Sequence, residues 1–313
     1  MDLTAARGDV SPPEVTVVIT CHNHAHFLPD AIDSVRRQTF RDFELVVIDD
    51  GSTDDTAAVA ARYRDARYVW QAHAGLSAAR NTGAREARGR HVVFLDADDR
   101  LLPAALQIGM ECAARHPDAA FVSGHYVVID RHGHRVSDRR RQCVTASHYE
   151  ALLRVNYIGM HATVLYRRET LERHGGFDES LPAGEDYDLY LRVARVEPIV
   201  CHPGLAAEYR WHGANMSLNS ELMLTATLRV LHRQREHVHG HARLVEAYRE
   251  GVSFWQRLFG EPLLDELARR VRARSWGSVA RLLGVALRHY PHGLAWRVGR
   301  FTRRLIREHA WLR

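Results

Sequence analysis

The sequence predicts an α/β fold in which a mostly parallel central sheet is covered by flanking helices and followed by a helical, basic C-terminal extension. Over the first hundred residues, short apolar and β-branched runs alternate with segments of helical spacing, a rhythm typical of parallel sheets. Beyond Asn219 the pattern is helical, with breaks predicted at residues 260–262 and 290–293. With 46% hydrophobic and 26% charged residues among 313, the composition is that of an ordinary globular protein.

The predicted strands and helices alternate along the chain. The four strands are Val15 to Thr20, Phe43 to Ile48, Tyr68 to Gln71 and His91 to Leu95. Between the first two strands, Leu28, Ile32 and Val35 recur at helical spacing, so one face of this helix can lie on the sheet. Polar side chains at residues 52–55 and at Ser77 can cap the next two helices.

Polar side chains follow three of these strands directly. The three segments are Cys21-His22-Asn23, Asp49-Asp50-Gly51-Ser52 and Asp96-Ala97-Asp98-Asp99. In a parallel sheet, ligands bind beyond the carboxyl ends of the strands, so we expect these side chains to line one edge. Asp96 and Asp98 are two residues apart, and in extended backbone their carboxylates point the same way and can hold a hard divalent cation. The alternative is that this acidic cluster only caps the helix that follows.

The order and spacing of four segments carry a family resemblance. The segments are Val17 to Asn23, Val46 to Asp54, Gly75 to Gly83 and Phe94 to Asp99. Together they resemble the family 2 glycosyltransferases with the GT-A fold. The resemblance implies a GT-A domain at residues 14–217, with a Rossmann-like sheet, and leaves residues 218–313 as a helical C-terminal region that is associated with the membrane surface or the acceptor.

The resemblance also implies a reaction. It is the inverting transfer of a sugar from a nucleotide-diphosphate donor, a UDP-sugar, to a hydroxyl of a carbohydrate or lipid-linked acceptor in envelope polysaccharide or glycolipid assembly. Two alternatives remain open. One is a non-catalytic nucleotide-sugar-binding scaffold that acts through its arginine-rich tail. The other, a sugar nucleotidyltransferase, is less favoured because no glycine-rich, basic phosphate loop lies near the first strand.

The resemblance assigns donor-binding residues by position. Thr20 and His22 would flank the uracil, and Asp50, with Asp49 beside it, would accept the hydrogen of the base N3 atom. Arg80 is a candidate contact to a phosphate or to the donor sugar. The alternatives are that the acidic pair forms an ordinary turn and helix cap, and that the arginine lies on the surface and bonds a loop carbonyl.

The resemblance assigns the metal ligands and the base in the same way. Asp96, Asp98 and Asp99 would bind Mn²⁺ or Mg²⁺ with the diphosphate, and His212 would be a further ligand, in a segment similar to the family's YRxHxxxxS element. Asp186 would remove the proton from the acceptor hydroxyl. Asp186 also suits the first turn of a helix, where the dipole favours an acid, and both roles can hold at once. The alternative for the histidine is a packed or surface residue.

The charge distribution excludes some chemistry. The chain contains no lysine, so all 43 basic side chains are arginine, which excludes Schiff-base catalysis and a Walker-type phosphate loop. Residues 269–313 hold twelve arginines and one acid, and apolar residues recur there at helical spacing. This tail either rests on anionic lipid headgroups or packs on the catalytic domain with a solvated arginine face. Nucleic acid is not expected, because no recognition motif accompanies the charge.

The remaining signals concern compartment and cysteine chemistry. Residues Met1 to Pro13 lack the layout of a secretory signal, and we therefore expect a cytoplasmic protein, with peripheral membrane contact as an open alternative. The four cysteines, which are widely scattered and form no CxxC pair, are predicted to be reduced and structural. They are Cys21, Cys112, Cys143 and Cys201. A zinc site built from Cys21, His22, His24 and His26 is a weaker alternative.

Overall fold

A computed structural model describes residues 11–140 and 142–310, and for residues 301–310 it describes the backbone only. The first ten residues of the predicted lead-in and the last three residues of the basic tail lie outside the described residues. The side chains of residues 301–310, which belong to the predicted basic tail, also lie outside this description.

The described part of the chain contains nine strands and twelve α-helices. The strands are β1 (Val15–Cys21), β2 (Phe43–Asp50), β3 (Ala66–Gln71), β4 (His91–Asp96), β5 (Arg100–Leu101), β6 (Phe121–Asp130), β7 (Arg135–Asp138), β8 (Val164–Arg167) and β9 (Val200–Trp211). The helices are α1 (Leu28–Arg36), α2 (Thr56–Ala60), α3 (Leu76–Glu86), α4 (Ala105–Arg115), α5 (His148–Arg154), α6 (Arg168–Arg173), α7 (Glu185–Ala194), α8 (Ser220–Arg233), α9 (Arg235–Val238), α10 (Ala242–Arg272), α11 (Trp276–His289) and α12 (Pro291–Ala310).

The strands form one mixed sheet that is parallel where the site was predicted. The strand order is β3-β2-β1-β4-β8-β6-β9-β5, with β7 paired to β6. β1 is parallel to both β2 and β4, and β2 is parallel to β3, whereas β8 runs antiparallel to β4 and β6. The predicted α/β fold with a mostly parallel sheet and flanking helices is therefore confirmed, and all four predicted strands are present.

Apolar packing holds this sheet and its helices together. Every residue of β1 is buried, as expected for a central strand with helices on both faces. The predicted face of α1 is buried too, at Leu28, Ile32 and Val35. On α3, Gly83 allows a close approach to the sheet, since a Cβ atom there would lie 2.3 Å from Val18 Cγ1. The helices of this region are therefore fixed against the strands that carry the predicted site.

The chain forms two compact units whose segments alternate in sequence. The first contains the sheet and comprises the described residues up to 145 together with 158–179 and 196–211. The second comprises 146–157, 180–195 and the described residues from 212 onward, and it is helical. The predicted division at residue 217 stays a prediction. None of the described helices is both long and apolar enough to cross a bilayer.

The predicted helix break at residues 260–262 is wrong. α10 runs through Pro262 as one 31-residue helix. Packing outweighs the local signal, because Leu263, Leu264 and Leu267 are buried immediately after the proline. The break predicted at 290–293 is confirmed, as α11 ends at His289 and α12 begins at Pro291.

The described part of the basic tail has both buried and exposed apolar side chains. On α11, Leu282 and Ala286 are buried inside the helical unit. Leu283 and Leu287, on the same helix, are 37% and 57% exposed. Packing within the helical unit thus accounts for part of this apolar face, and packing on the catalytic domain and contact with a membrane surface both stay predictions.

Candidate active site

The register of the three central parallel strands brings the predicted positions to one edge. Thr20 on β1 pairs with Asp96 on β4, and Cys21 pairs with Asp49 on β2. Thr20 Oγ1 donates a hydrogen bond of 3.0 Å to Asp96 Oδ1. The loops expected to hold the nucleotide and the acidic turn expected to hold the metal therefore leave adjacent strands of one sheet.

Asp50 organises the loop between β3 and α3. Its carboxylate is buried and accepts hydrogen bonds from Gln71 Nε2 at 2.6 Å and from the backbone N–H groups of Ala74 and Gly75, both at 2.9 Å. His73 Nδ1 lies 2.8 Å from the same carboxylate. A carboxylate with this many neighbours is fixed in place, and its recognition of a base N3 atom stays a prediction.

His22 lies beside Asp50, as the predicted base pocket requires. Its Nδ1 atom donates a hydrogen bond of 2.7 Å to the Asp50 carbonyl oxygen, and its ring stacks on that of His73 with centroids 4.2 Å apart. Sequence reasoning missed His73, which follows the end of β3. The rule that singled out the residues after the other strands could have found it.

Asp49 has the contacts of a turn-forming residue. Its Oδ1 atom accepts from the Ser52 backbone N–H at 2.9 Å, and its Oδ2 atom accepts from the Tyr68 hydroxyl at 2.6 Å. Burial, followed by this bond to Asp49, raises the pKa of Tyr68. These contacts agree with the turn interpretation, in which Asp49 shapes the backbone that carries Asp50.

Arg80 is buried rather than on the surface, and it holds Asp96. The residue is 2% exposed, and its Nη2 atom lies 2.9 and 3.1 Å from the two carboxylate oxygens of Asp96. Its guanidinium group lies 5.8 Å from the centre of the Phe177 ring. Burial, together with the charge of Arg80, lowers the pKa of His161 well below its usual range. Arg80 thus positions a predicted metal ligand, and its contact with the donor stays a prediction.

The acidic turn after β4 concentrates negative charge. Asp99 is buried, and burial followed by the charges of Asp98 and Asp96 raises its pKa well above the ordinary value. Asp96 and Asp98 are only partly buried. Carboxylate oxygens are the ligands that Mn²⁺ and Mg²⁺ prefer, and a divalent cation would offset this mutual repulsion. The turn therefore fits a metal site, with Asp96 and Asp98 as its accessible acids.

Arg210 anchors this turn from β9. Its backbone N–H donates to Asp99 Oδ1 and its Nε atom to the Asp98 carbonyl oxygen, both at 2.7 Å. Its Nη2 atom donates to Asp30 Oδ2, also at 2.7 Å, and its guanidinium group lies 4.9 Å from the centre of the Phe27 ring. Sequence reasoning missed this role, although Arg210 lies in the segment that was singled out for its similarity to the family's YRxHxxxxS element.

Replacing Arg210 by Met should lower the free energy of unfolding by about 2 kcal/mol, because it removes the hydrogen bonds of a buried guanidinium group to the carbonyl oxygens of Asp98 and Arg131 and to the Asp30 carboxylate. Urea titration would measure the change. Arg90→Met is the matched control, since the Arg90 side chain is 72% exposed and its loss should change stability by less than about 0.5 kcal/mol. Equal stability of the two variants would show that Arg210 does not anchor the turn.

Asp186 lies in the first turn of α7, in the helical unit. Gly184, the residue just before α7, is in the left-handed region at φ +73°. Asp186 is partly buried, and its Oδ1 atom accepts from the Tyr187 backbone N–H at 2.6 Å. The Tyr187 hydroxyl in turn donates to the Leu152 carbonyl oxygen at 2.6 Å, which fixes the helix inside its unit. The first-turn position is confirmed, and the catalytic role stays a prediction.

His212 also belongs to the helical unit, just after the end of β9. It is partly buried, and its backbone N–H donates to Asn215 Oδ1 at 2.9 Å. Its role as a metal ligand stays a prediction. Among the described residues, the alternative zinc site in the first loop finds no support. Cys21 is buried with its Sγ atom 3.6 Å from Thr56 Oγ1, and burial raises the pKa of its thiol to about 11.

The mixed sheet with its flanking helices has the architecture of the GT-A glycosyltransferase fold. The family model described as glycosyl transferase family 2 matches residues 16–175. The chain therefore belongs to glycosyl transferase family 2.

Relatives and solved structures agree with this assignment. The chain is 28% identical over 222 residues to the uncharacterized glycosyltransferase RP339 of Rickettsia prowazekii, covering 68% of this chain and 70% of that protein. It is 28% identical over 210 residues to chondroitin synthase of Escherichia coli, covering 66% of this chain but only 30% of that longer enzyme.

Two solved structures share the fold. S. aureus TarS 1-349 in complex with UDP is 19% identical, with a TM-score of 0.64 and coverage of 89% of this chain and 81% of TarS. The mannosyltransferase PcManGT from Pyrobaculum calidifontis, in complex with GDP-Man and Mn²⁺, is 20% identical, with a TM-score of 0.56 and coverage of 90% and 89%. At these identities the likeness shows the GT-A fold alone.

Proposed function

We propose that this protein is a metal-dependent, inverting glycosyltransferase that uses a UDP-sugar donor and a hydroxyl acceptor. The observation that carries the proposal is the acidic turn after β4. Thr20 and Arg80 hold Asp96, and Arg210 holds the backbone of Asp98 and the side chain of Asp99. Three separate elements thus pre-position acids at the ligand-binding edge of the sheet, which a helix cap alone would not need.

Further observations support the two finer parts of this proposal, the divalent cation and the nucleobase of the donor. One structural neighbour was solved with Mn²⁺ and GDP-Man and another with UDP, so both a divalent cation and a nucleotide suit this fold. In the proposed site Asp96 and Asp98, with His212, would hold the cation, which would stabilise the charge of the leaving diphosphate. His22 and Asp50 lie together in the loops proposed to hold the uracil.

The proposed chemistry is a single displacement. Asp186 accepts the proton of the acceptor hydroxyl, and the acceptor oxygen forms a bond to the anomeric carbon as the bond from that carbon to the diphosphate oxygen breaks. Attack opposite the leaving group inverts the anomeric configuration. Asp186 suits the base role because it is only partly buried, whereas the neighbouring Asp188 is buried and bonded to Arg192 and Arg233.

A donor panel tests the proposal. We expect UDP release from a UDP-sugar in Mn²⁺ or Mg²⁺, loss of this release in EDTA, and weaker turnover of GDP-sugars, measured by a coupled nucleotide assay. Calorimetric titration with UDP and Mn²⁺ would measure donor-site binding separately. Binding without turnover of any sugar nucleotide, in the presence of a panel of glycan and lipid-linked acceptors, would contradict the proposal and favour the non-catalytic scaffold.

A further inference from the structure

A second group of metal-ligating side chains lies in the sheet unit. It consists of His125 on β6, Cys201 on β9 and Cys143, which follows β7. Cys201 is near the beginning of β9, whereas Arg210, which holds the acidic turn, is near its end. The group is thus separated from the proposed donor site by most of the length of one strand, and the proposed transferase reaction does not use it.

The three ligand atoms are close enough to share one ion. The distance from Cys143 Sγ to His125 Nε2 is 3.5 Å, and that from Cys143 Sγ to Cys201 Sγ is 3.0 Å. All three atoms lie within 4.8 Å of one another. Tetrahedral zinc, with bonds of about 2.3 Å to sulfur and about 2.0 Å to nitrogen, separates its ligands by roughly 3.5 to 3.8 Å. The sulfur–nitrogen distance already matches, and the two sulfurs must separate by under about 1 Å.

The distance between the sulfurs also differs from that of a disulfide, in which they are about 2.05 Å apart. Both cysteines are free thiols. Cys143 and Cys201 are 58 residues apart in sequence. Cys201 lies beside β6, since Ser123 on β6 is in register with it, and Cys143 follows β7, which also pairs with β6. The scattered spacing that argued against a zinc ribbon therefore does not argue against a site assembled by the sheet.

We propose that His125, Cys143 and Cys201 form a zinc site. Two thiolates and one imidazole are a donor set that selects zinc over Mg²⁺ or Mn²⁺, which prefer oxygen ligands. The two cysteines are only partly buried, so a water molecule can complete the tetrahedron, while His125 is buried and held by its strand. The ion joins the segment after β7 to the two paired strands β6 and β9.

The consequence is a structural clamp. The backbone N–H of Arg139 donates to the Tyr126 carbonyl oxygen at 3.0 Å, just before the segment that carries Cys143. A bound ion adds two further attachments, one to β6 and one to β9. Because an ion that binds only the folded state stabilises it, zinc should raise the thermal midpoint of the protein.

Metal analysis of the full chain, purified under reducing conditions and reloaded with zinc, tests this proposal. We expect about one equivalent of zinc in the wild-type protein and less than about one tenth in Cys143→Ser and Cys201→Ser. Cobalt titration should give a thiolate-to-cobalt charge-transfer band in the wild type and in neither Cys143→Ser nor Cys201→Ser. Cys112→Ser is the matched control, because this free cysteine is buried in the same unit but outside the group, and it should bind zinc like the wild type.

A second measurement keeps the proposal testable if a serine variant does not fold. Zinc should protect Cys143 and Cys201 of the wild type from alkylation, as read by peptide mass spectrometry, and EDTA should remove that protection and lower the thermal midpoint. Absence of stoichiometric zinc would overturn the proposal. So would a count of two rather than four thiols in the denatured, unreduced protein, because it would identify a Cys143–Cys201 disulfide.

Discussion

Asp186→Asn should lower the kcat of sugar transfer by a factor of about 10² to 10⁴, because an amide cannot accept the proton of the acceptor hydroxyl. The substitution keeps the size of the side chain and an oxygen that can accept the bond from the Tyr187 backbone N–H. Donor binding should therefore change little. Initial rates of transfer, with the Kd for UDP and Mn²⁺ from calorimetry, would measure the two effects separately.

Glu221→Gln is the matched control for this variant. Glu221 is an acid in the first turn of α8, in the same helical unit, and its carboxylate is 3.3 Å from Arg281 Nε. The Arg281 side chain of this ion pair is 67% exposed, and a solvated pair contributes little, so both the transfer rate and the stability should stay close to wild type. Full activity of Asp186→Asn would rule out Asp186 as the general base, whatever the result for the control.

Asp98→Asn should reduce kcat/KM by about 10³, since loss of one carboxylate should weaken the binding of the cation that is proposed to stabilise the leaving diphosphate. Its backbone carbonyl oxygen still accepts the bond from Arg210 Nε, so the fold of the turn should persist. Calorimetric titration with Mn²⁺ in the presence of UDP would measure the expected loss of metal-dependent donor binding. A variant that binds UDP with unchanged dependence on Mn²⁺ would remove Asp98 from the metal site.

Asp65→Asn provides the corresponding control in the sheet unit. Asp65 is 55% exposed and pairs with Arg36 at 3.0 Å on the surface. Its replacement removes one negative charge, as Asp98→Asn does, without touching the turn. We expect wild-type activity and metal dependence, so a loss shared by both variants would point to overall charge rather than to coordination.

The parallel half of the fold was predictable because its signals are local. β1, β2 and β4 are runs of buried, β-branched residues, and the polar residues that end them follow from the way parallel sheets bind ligands. The family resemblance added the GT-A fold and the expected roles of the residues at this edge, which no single motif could supply. Where packing decides, as at Pro262 within α10, the local signal was misleading.

Side-chain networks that join distant segments could not be read from the chain. Arg210 bonds to Asp98, Asp99 and Asp30, and the last of these lies 180 residues away. Cys143 and Cys201 meet because β7, which precedes Cys143, and β9, which carries Cys201, both pair with β6. In both cases the sequence shows that a suitable side chain is present. Which residues it contacts depends on strand order, and strand order is a property of the tertiary fold.

The crowded carboxylate of Asp50 has a consequence for how a nucleotide would enter. A carboxylate offers about four positions to hydrogen-bond donors, and three N–H groups and the His73 ring already surround this one. A nucleobase that hydrogen-bonds to the Asp50 carboxylate must displace one of these groups. The His73 side chain, 59% exposed, can leave at the lowest cost. Base recognition at Asp50, as proposed, would therefore exchange the His73 imidazole for the base as a hydrogen-bond partner of this carboxylate.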